Sequence, residues 1–103
     1  HLALNDYLLK HKEACFFLRV KGDSLAGANI HDGNLIIVER GIEPKHGDIV
    51  VAVVHGELTV KRLYKRRGVL KLQAANAAYP DIEIKPDNEL AIWGAVRHVV
   101  HSF

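Results

Sequence analysis

The stretch Ile49-Val50-Val51-Ala52-Val53-Val54-His55-Gly56-Glu57-Leu58-Thr59-Val60-Lys61-Arg62-Leu63-Tyr64 decides the fold. Six apolar residues without alternation, too few for a buried helix, read as a strand covered on both faces. His55-Gly56 falls where a two-residue hairpin turn belongs, with glycine at a position that tolerates positive φ. Glu57 to Tyr64 is then the returning strand. Working outward, Phe16-Phe17-Leu18-Arg19-Val20 is a strand broken by Lys21-Gly22-Asp23-Ser24. Leu35 to Val38 is another, set between Asp32-Gly33-Asn34 and Arg40-Gly41. Lys65-Arg66-Arg67-Gly68 reads as a turn into the strand Val69 to Leu72. Ala74 to Tyr79 has no clear period and is closed by Pro80. Ile82 to Ile84 is a short strand, Lys85-Pro86-Asp87-Asn88 a turn, and Leu90 to Val100 a long final strand. At the front, Asn5 can cap a short helix through Tyr7, Leu8 and Leu9. The expectation is a mainly β fold, a small rolled antiparallel sheet or open barrel, with a short N-terminal helix or arm. Residues 1–14 would be the arm and 15–103 the β domain.

Composition bounds what such a domain can do. The 103 residues suit one core, and 49% hydrophobic with 25% charged residues is globular, not disordered. A formal charge of +2 assigns no nucleic-acid partner by itself. Cys15 is the single cysteine, so no internal disulfide can form, which suits a reducing, cytoplasmic setting. No apolar run approaches the ~20 residues that cross a bilayer. The chain opens at His1 and contains no methionine, which reads as a fragment, a processed form or a trimmed chain.

Aliphatic hydroxyls are scarce: the only serines are Ser24 and Ser102, and the only threonine is Thr59. Ser24 follows a strand and a glycine. A serine nucleophile needs its Oγ beside backbone N–H groups that can hold an oxyanion, and a sharp turn after a strand supplies them. On its own, Gly22-Asp23-Ser24 is an ordinary turn. Lys61 gives it meaning. It lies inside a strand, on the face of Thr59 and Leu63, while Arg62 shares the other face with Leu58, Val60 and Tyr64. A lysine is a general base only when neutral, and apolar surroundings disfavour its charged form. A Ser-Lys pair would require these two side chains to meet.

With these residues in view, the chain resembles the LexA/UmuD family of self-cleaving SOS-response proteins, most closely the UmuD type. The resemblance covers essentially the whole chain. It rests on Gly22-Asp23-Ser24, Asp32-Gly33-Asn34-Leu35-Ile36-Ile37-Val38, His46-Gly47-Asp48-Ile49-Val50, Gly56 to Leu63, and the tail Trp93 to Val100. The separation of 37 residues between Ser24 and Lys61 is the family's spacing. The resemblance implies Ser24 as nucleophile, Lys61 as general base, and amide N–H groups around Asp23 and Ser24 as the oxyanion hole, with no cofactor and no metal. It implies self-cleavage of an N-terminal arm just before a glycine, prompted by a RecA–single-stranded DNA filament. It further implies a homodimer, whose shortened form serves an error-prone Y-family DNA polymerase in translesion synthesis. Leu25 departs from the family's usual methionine, and no Ala-Gly or Cys-Gly bond lies upstream of Ser24, so the chain reads as the processed product. A second reading is the self-cleavage and dimerisation domain of a LexA-like or phage-type repressor.

Other signals weigh less. Lys61, Arg62, Lys65, Arg66, Arg67 and Lys71 cluster on one hairpin, and charged hairpin tips are commonly just solvated. Direct DNA contact there is left open, with Tyr64 the only aromatic nearby. A β-barrel nucleic-acid binder would need that hairpin and not Ser24. A signal-peptidase relative would need a membrane anchor. None of the seven histidines makes a helix-spaced metal motif, and a Ser-His-Asp triad lacks the second glycine of a nucleophile elbow. Cys15 shares a face with Phe17 and is expected to be a small buried hydrophobe, and Trp93 to be core.

Overall fold

The computed structural model describes residues 14–101. The expected front helix near Asn5 and nearly all of the 1–14 arm lie outside the described residues. Seven strands follow: β1 (Cys15–Arg19), β2 (Leu35–Glu39), β3 (Ile49–Val54), β4 (Glu57–Arg66), β5 (Val69–Gln73), β6 (Ile82–Ile84) and β7 (Leu90–Val100). They form one antiparallel sheet in the order β1-β2-β7-β3-β4-β5-β6. The chain is therefore mainly β, as its turn spacing indicates. Among the described residues, one 3-10 turn, Ala26–Ala28, follows Ser24.

The β3–β4 hairpin fixes the register of the rest. Ile49 opposes Arg62 and Val54 opposes Glu57, with the turn at His55 (φ 50°) and Gly56 (φ 79°). Two left-handed residues in a row match the twist of the flanking strands, which is why a two-residue loop can close here. β3 is central, and its alternate side chains enter two different cores. Val51 joins Ile36 and Val38 on one face, capped by Val20, Leu25 and Ile30 from the segment between β1 and β2. Val50, Ala52 and Val54 join Leu63 and Leu72 on the other, where Ile82, Ile84, Leu90 and Ile92 pack against them. The sheet thus rolls far enough to bring β6 and β7 side chains into one cluster. A strand feeding two cores must be apolar at every position, and Ile49 to Val54 is.

Three local expectations need correction. Lys65 and Arg66 continue β4, and the turn is only Arg67-Gly68, with φ of 53° and 75°. Cys15 is half-buried and Phe17 is 54% exposed. Their shared face is the outer one, because Phe16 and Leu18 are the residues paired with Val38 and Ile36 over the core. Trp93 is 47% exposed. The register slips between Val51, opposite Gly94, and Ala52, opposite Ile92, so Trp93 is the extra residue of a bulge, edge-on to Phe16. A second slip, between Ile37 and Val38, makes Arg97 the extra residue and lets Val96 and Val99 both face the first core.

Candidate active site

β1 ends at Arg19, and the chain must reverse before β2. Hydrogen bonds hold the ends of that excursion: Val20 N–H donates to Asn34 C=O (2.8 Å) and Gly33 N–H to Val20 C=O (2.8 Å). Gly22, at φ 85°, makes the sharp departure that a residue with a Cβ resists, and its N–H donates to Asp32 Oδ1 at 2.7 Å. Leu25 then plunges into the first core, 2% exposed. Ser24 is pinned between that glycine and this apolar anchor. It is half-buried, and its side chain faces β4.

Lys61 stands on β4 directly opposite Val50, on the face of Leu63 and the second core. The last β4–β5 pair is Arg62 with Gln73, so β5 leaves the sheet just where Lys61 begins its reach. Lys61 Nζ lies 3.2 Å from Ser24 Oγ. Burial pulls the Lys61 pKa below the ordinary lysine value, and the negative charge of Glu57 partly opposes that pull. In such a pair the charged amine donates to the hydroxyl oxygen, whereas the neutral amine accepts the hydroxyl proton. The two sequence-expected side chains are therefore brought together, in a setting that favours the amine's reactive form.

A groove of about 320 Å³ runs past them, bounded by Val20, Ser24, Leu58, Val60, Lys61 and Tyr79. On its β4 side, residues 57–61 pair only with β3 among the described residues, leaving the other backbone edge of the strand open. Such an edge can hydrogen-bond an extended peptide. Among the described residues, the N–H groups of Asp23 and Ser24 donate to no protein acceptor, so both remain free for a ligand oxygen.

Several supporting side chains escape a reading of the sequence. Asp32 ties down Gly22, as above. Asn76 Nδ2 donates to Asp23 C=O at 3.0 Å, and Tyr79 O–H donates to Asp23 Oδ1 at 2.6 Å. Both come from the 74–79 stretch that shows no period, and their partner is more than 50 residues away. Only the Asn-x-x-Tyr-Pro composition, typical of an ordered loop, signals them. Of the basic hairpin only Lys61 lines the groove; Arg62, Lys65, Arg66, Arg67 and Lys71 do not. Lys65 lies near Glu43 (3.6 Å), Lys71 sits over the Tyr64 ring (5.3 Å), and His46 packs edge-on against the same ring. No group of three or more His, Cys, Asp or Glu side chains among the described residues could hold a metal ion. No helix among them is long and apolar enough to cross a membrane.

The Peptidase S24-like family profile matches residues 1–97. The chain is 45% identical over 98 residues to Protein MucA of Salmonella typhimurium, covering 94% of this chain and 66% of that protein. It is 41% identical over 101 residues to Protein ImpA of Shigella flexneri, covering 97% and 68%. It is also 42% identical over 85 residues to the LexA repressor of Magnetococcus marinus, covering 82% of this chain but 37% of the repressor. The chain thus spans just under two thirds of the length of MucA.

Proposed function

The chain belongs to the Peptidase S24-like family, the LexA/UmuD group of SOS-response proteins that are in general self-cleaving serine peptidases, and we propose that Ser24 and Lys61 are its catalytic dyad. The observation that carries this is the 3.2 Å approach of Lys61 Nζ to Ser24 Oγ. Ser24 Oγ attacks a peptide carbonyl carbon while neutral Lys61 takes the hydroxyl proton. The carbonyl electron pair moves onto oxygen, facing the N–H groups of Asp23 and Ser24. Collapse breaks the C–N bond, Lys61 returns the proton to the departing amine, and water hydrolyses the acyl-enzyme by the same relay. The substrate is the protein's own N-terminal arm, laid along the open edge of β4.

Within the family the UmuD type is the reading to prefer. The alignment to MucA is 45% identical and takes in 94% of this chain, against 42% and 82% for the LexA repressor. On this reading the domain is residues 15–103, residues 1–14 are the part of the N-terminal arm kept after cleavage, and the protein is a cytoplasmic homodimer. A RecA–single-stranded DNA filament promotes cleavage, and the shortened form assists a Y-family error-prone polymerase.

The test is self-cleavage of the full-length gene product from neutral to alkaline pH. The rate should rise with pH as Lys61 loses its proton, then level off. Removing the base in Lys61→Ala should slow cleavage by ~10²–10⁴-fold, and Ser24→Ala should stop it. Cleavage persisting in both variants refutes the dyad. For the partner, affinity capture from the host should recover a Y-family polymerase, and recovery of promoter DNA complexes alone would favour the repressor reading.

A further inference from the structure

Residues 74–81 link β5 to β6 and lie against the nucleophile turn at three points. Gly27 N–H donates to Ala75 C=O at 2.6 Å, so close that a Cβ on residue 27 would strike that carbonyl. Asn76 Nδ2 donates to Asp23 C=O, and Tyr79 O–H to the Asp23 carboxylate. The loop is itself ordered around Asn76: Ala78 N–H donates to Asn76 Oδ1 and Tyr79 N–H to Asn76 C=O, both at 3.0 Å. Because Oδ1 is engaged as an acceptor, the amide's NH₂ end is the one that faces Asp23.

The carbonyl held in this way belongs to the Asp23–Ser24 peptide. It accepts from Asn76 Nδ2 and also from Ala26 N–H at 3.1 Å. The peptide unit is planar and trans, so its N–H points opposite to its C=O. Fixing the carbonyl toward Asn76 therefore aims the Ser24 N–H away from the loop, as a donor with no acceptor among the described residues. We infer that Asn76 is a positioning residue that orients the Ser24 N–H as an oxyanion donor, with Tyr79 steadying the same turn through the Asp23 carboxylate. This rests on the dyad reading above. It assigns the loop a part in transition-state stabilisation and none in proton transfer.

A fluorophosphonate separates those two parts. Ser24 Oγ forms a P–O bond, fluoride leaves with the P–F electron pair, Lys61 takes the hydroxyl proton, and the phosphonyl oxygen occupies the oxyanion position. The rate of Ser24 labelling is measured against pH by mass spectrometry for the parent chain, Asn76→Ala, Tyr79→Phe, Lys61→Ala and Ser24→Ala, with thermal unfolding of each. Loss of a well-aimed oxyanion donor costs roughly 10²–10³-fold, so mis-aiming one should lower the alkaline plateau by about 10–100-fold in Asn76→Ala. Tyr79→Phe should lower it less. In both, the pH midpoint set by Lys61 should stay where the parent has it, and both variants should remain folded at the assay temperature. Plateaus within about twofold of the parent overturn the inference. So does a moved midpoint with an unchanged plateau, since the loop would then act on the lysine. A parent that resists labelling, or labelling that survives Lys61→Ala, instead brings down the dyad itself and the loop's role with it.

Discussion

Lys61 is costly to place and useful for the same reason. Its stem lies over apolar β-sheet and its amine is half-buried, so the charged form loses hydration that the fold only partly replaces. A folded-state pKa below the unfolded one means that, between those two values, the unfolded chain holds the proton more tightly. Stability should therefore rise with pH across that window, and the penalty is fully present below the folded value. Lys61→Met, which keeps the stem and removes the charge, should be more stable than the parent near neutral pH. Denaturant titrations at increasing pH should show its advantage shrinking through the window. Lys61→Arg should fail differently. A guanidinium does not deprotonate in a protein, so self-cleavage should fall by the full ~10²–10⁴-fold worth of the base at every pH. A Lys61→Arg chain whose rate still climbed with pH to the parental plateau would contradict the assignment. The meeting of Ser24 and Lys61 was legible in the sequence chiefly through the family resemblance and its 37-residue spacing, since a serine after a glycine-bearing turn and a lysine within a strand are weak marks by themselves. Asn76 and Tyr79 were not, because their hydrogen bonds to Asp23 are made across the fold and leave no periodicity behind.

At the scale of elements, apolar runs and turn residues located all seven strands, since a strand feeding two cores and a two-residue hairpin have strong local signatures. The bulges in β7 were invisible, because a register slip is a relation between two strands and not a property of one. That is why Trp93 was expected inside and sits at the rim, and why alternation along Val96 to Val100 breaks at Arg97. Beside the first bulge, Gly94 lets β7 lie tight against β2. A Cβ there would strike the backbone carbonyl of Glu39 and press on Val38 Cγ1. Gly94→Ala should thus destabilise the chain by roughly 1–3 kcal/mol, as overpacking of a tight contact does, measured from the denaturant midpoint at constant m-value. An unchanged midpoint would mean that β2 and β7 can separate freely at this point.

For the whole molecule, two cores on opposite faces of one sheet share β3, so neither can melt while the other stays packed. Ile36→Ala in the first core and Leu72→Ala in the second should each cost about 2–5 kcal/mol. Both should leave a single transition in which calorimetric and van't Hoff enthalpies agree. Two resolved transitions in either variant would show that the halves fold independently. The shared sheet matters to the chemistry, because Ser24 hangs from the first core through Leu25 and Lys61 is rooted over the second beside Leu63. The rigidity of β3–β4 is what holds an alcohol and an amine from separate cores at hydrogen-bonding distance. The most direct test of that claim is an NMR titration of the Lys61 Cε and Nζ signals, alongside the pH profile of self-cleavage, both in the full-length gene product. The account predicts a Lys61 midpoint below the ordinary lysine range that coincides with the midpoint of the rate. A Lys61 that titrates within the ordinary range, while the rate turns over elsewhere, would contradict it.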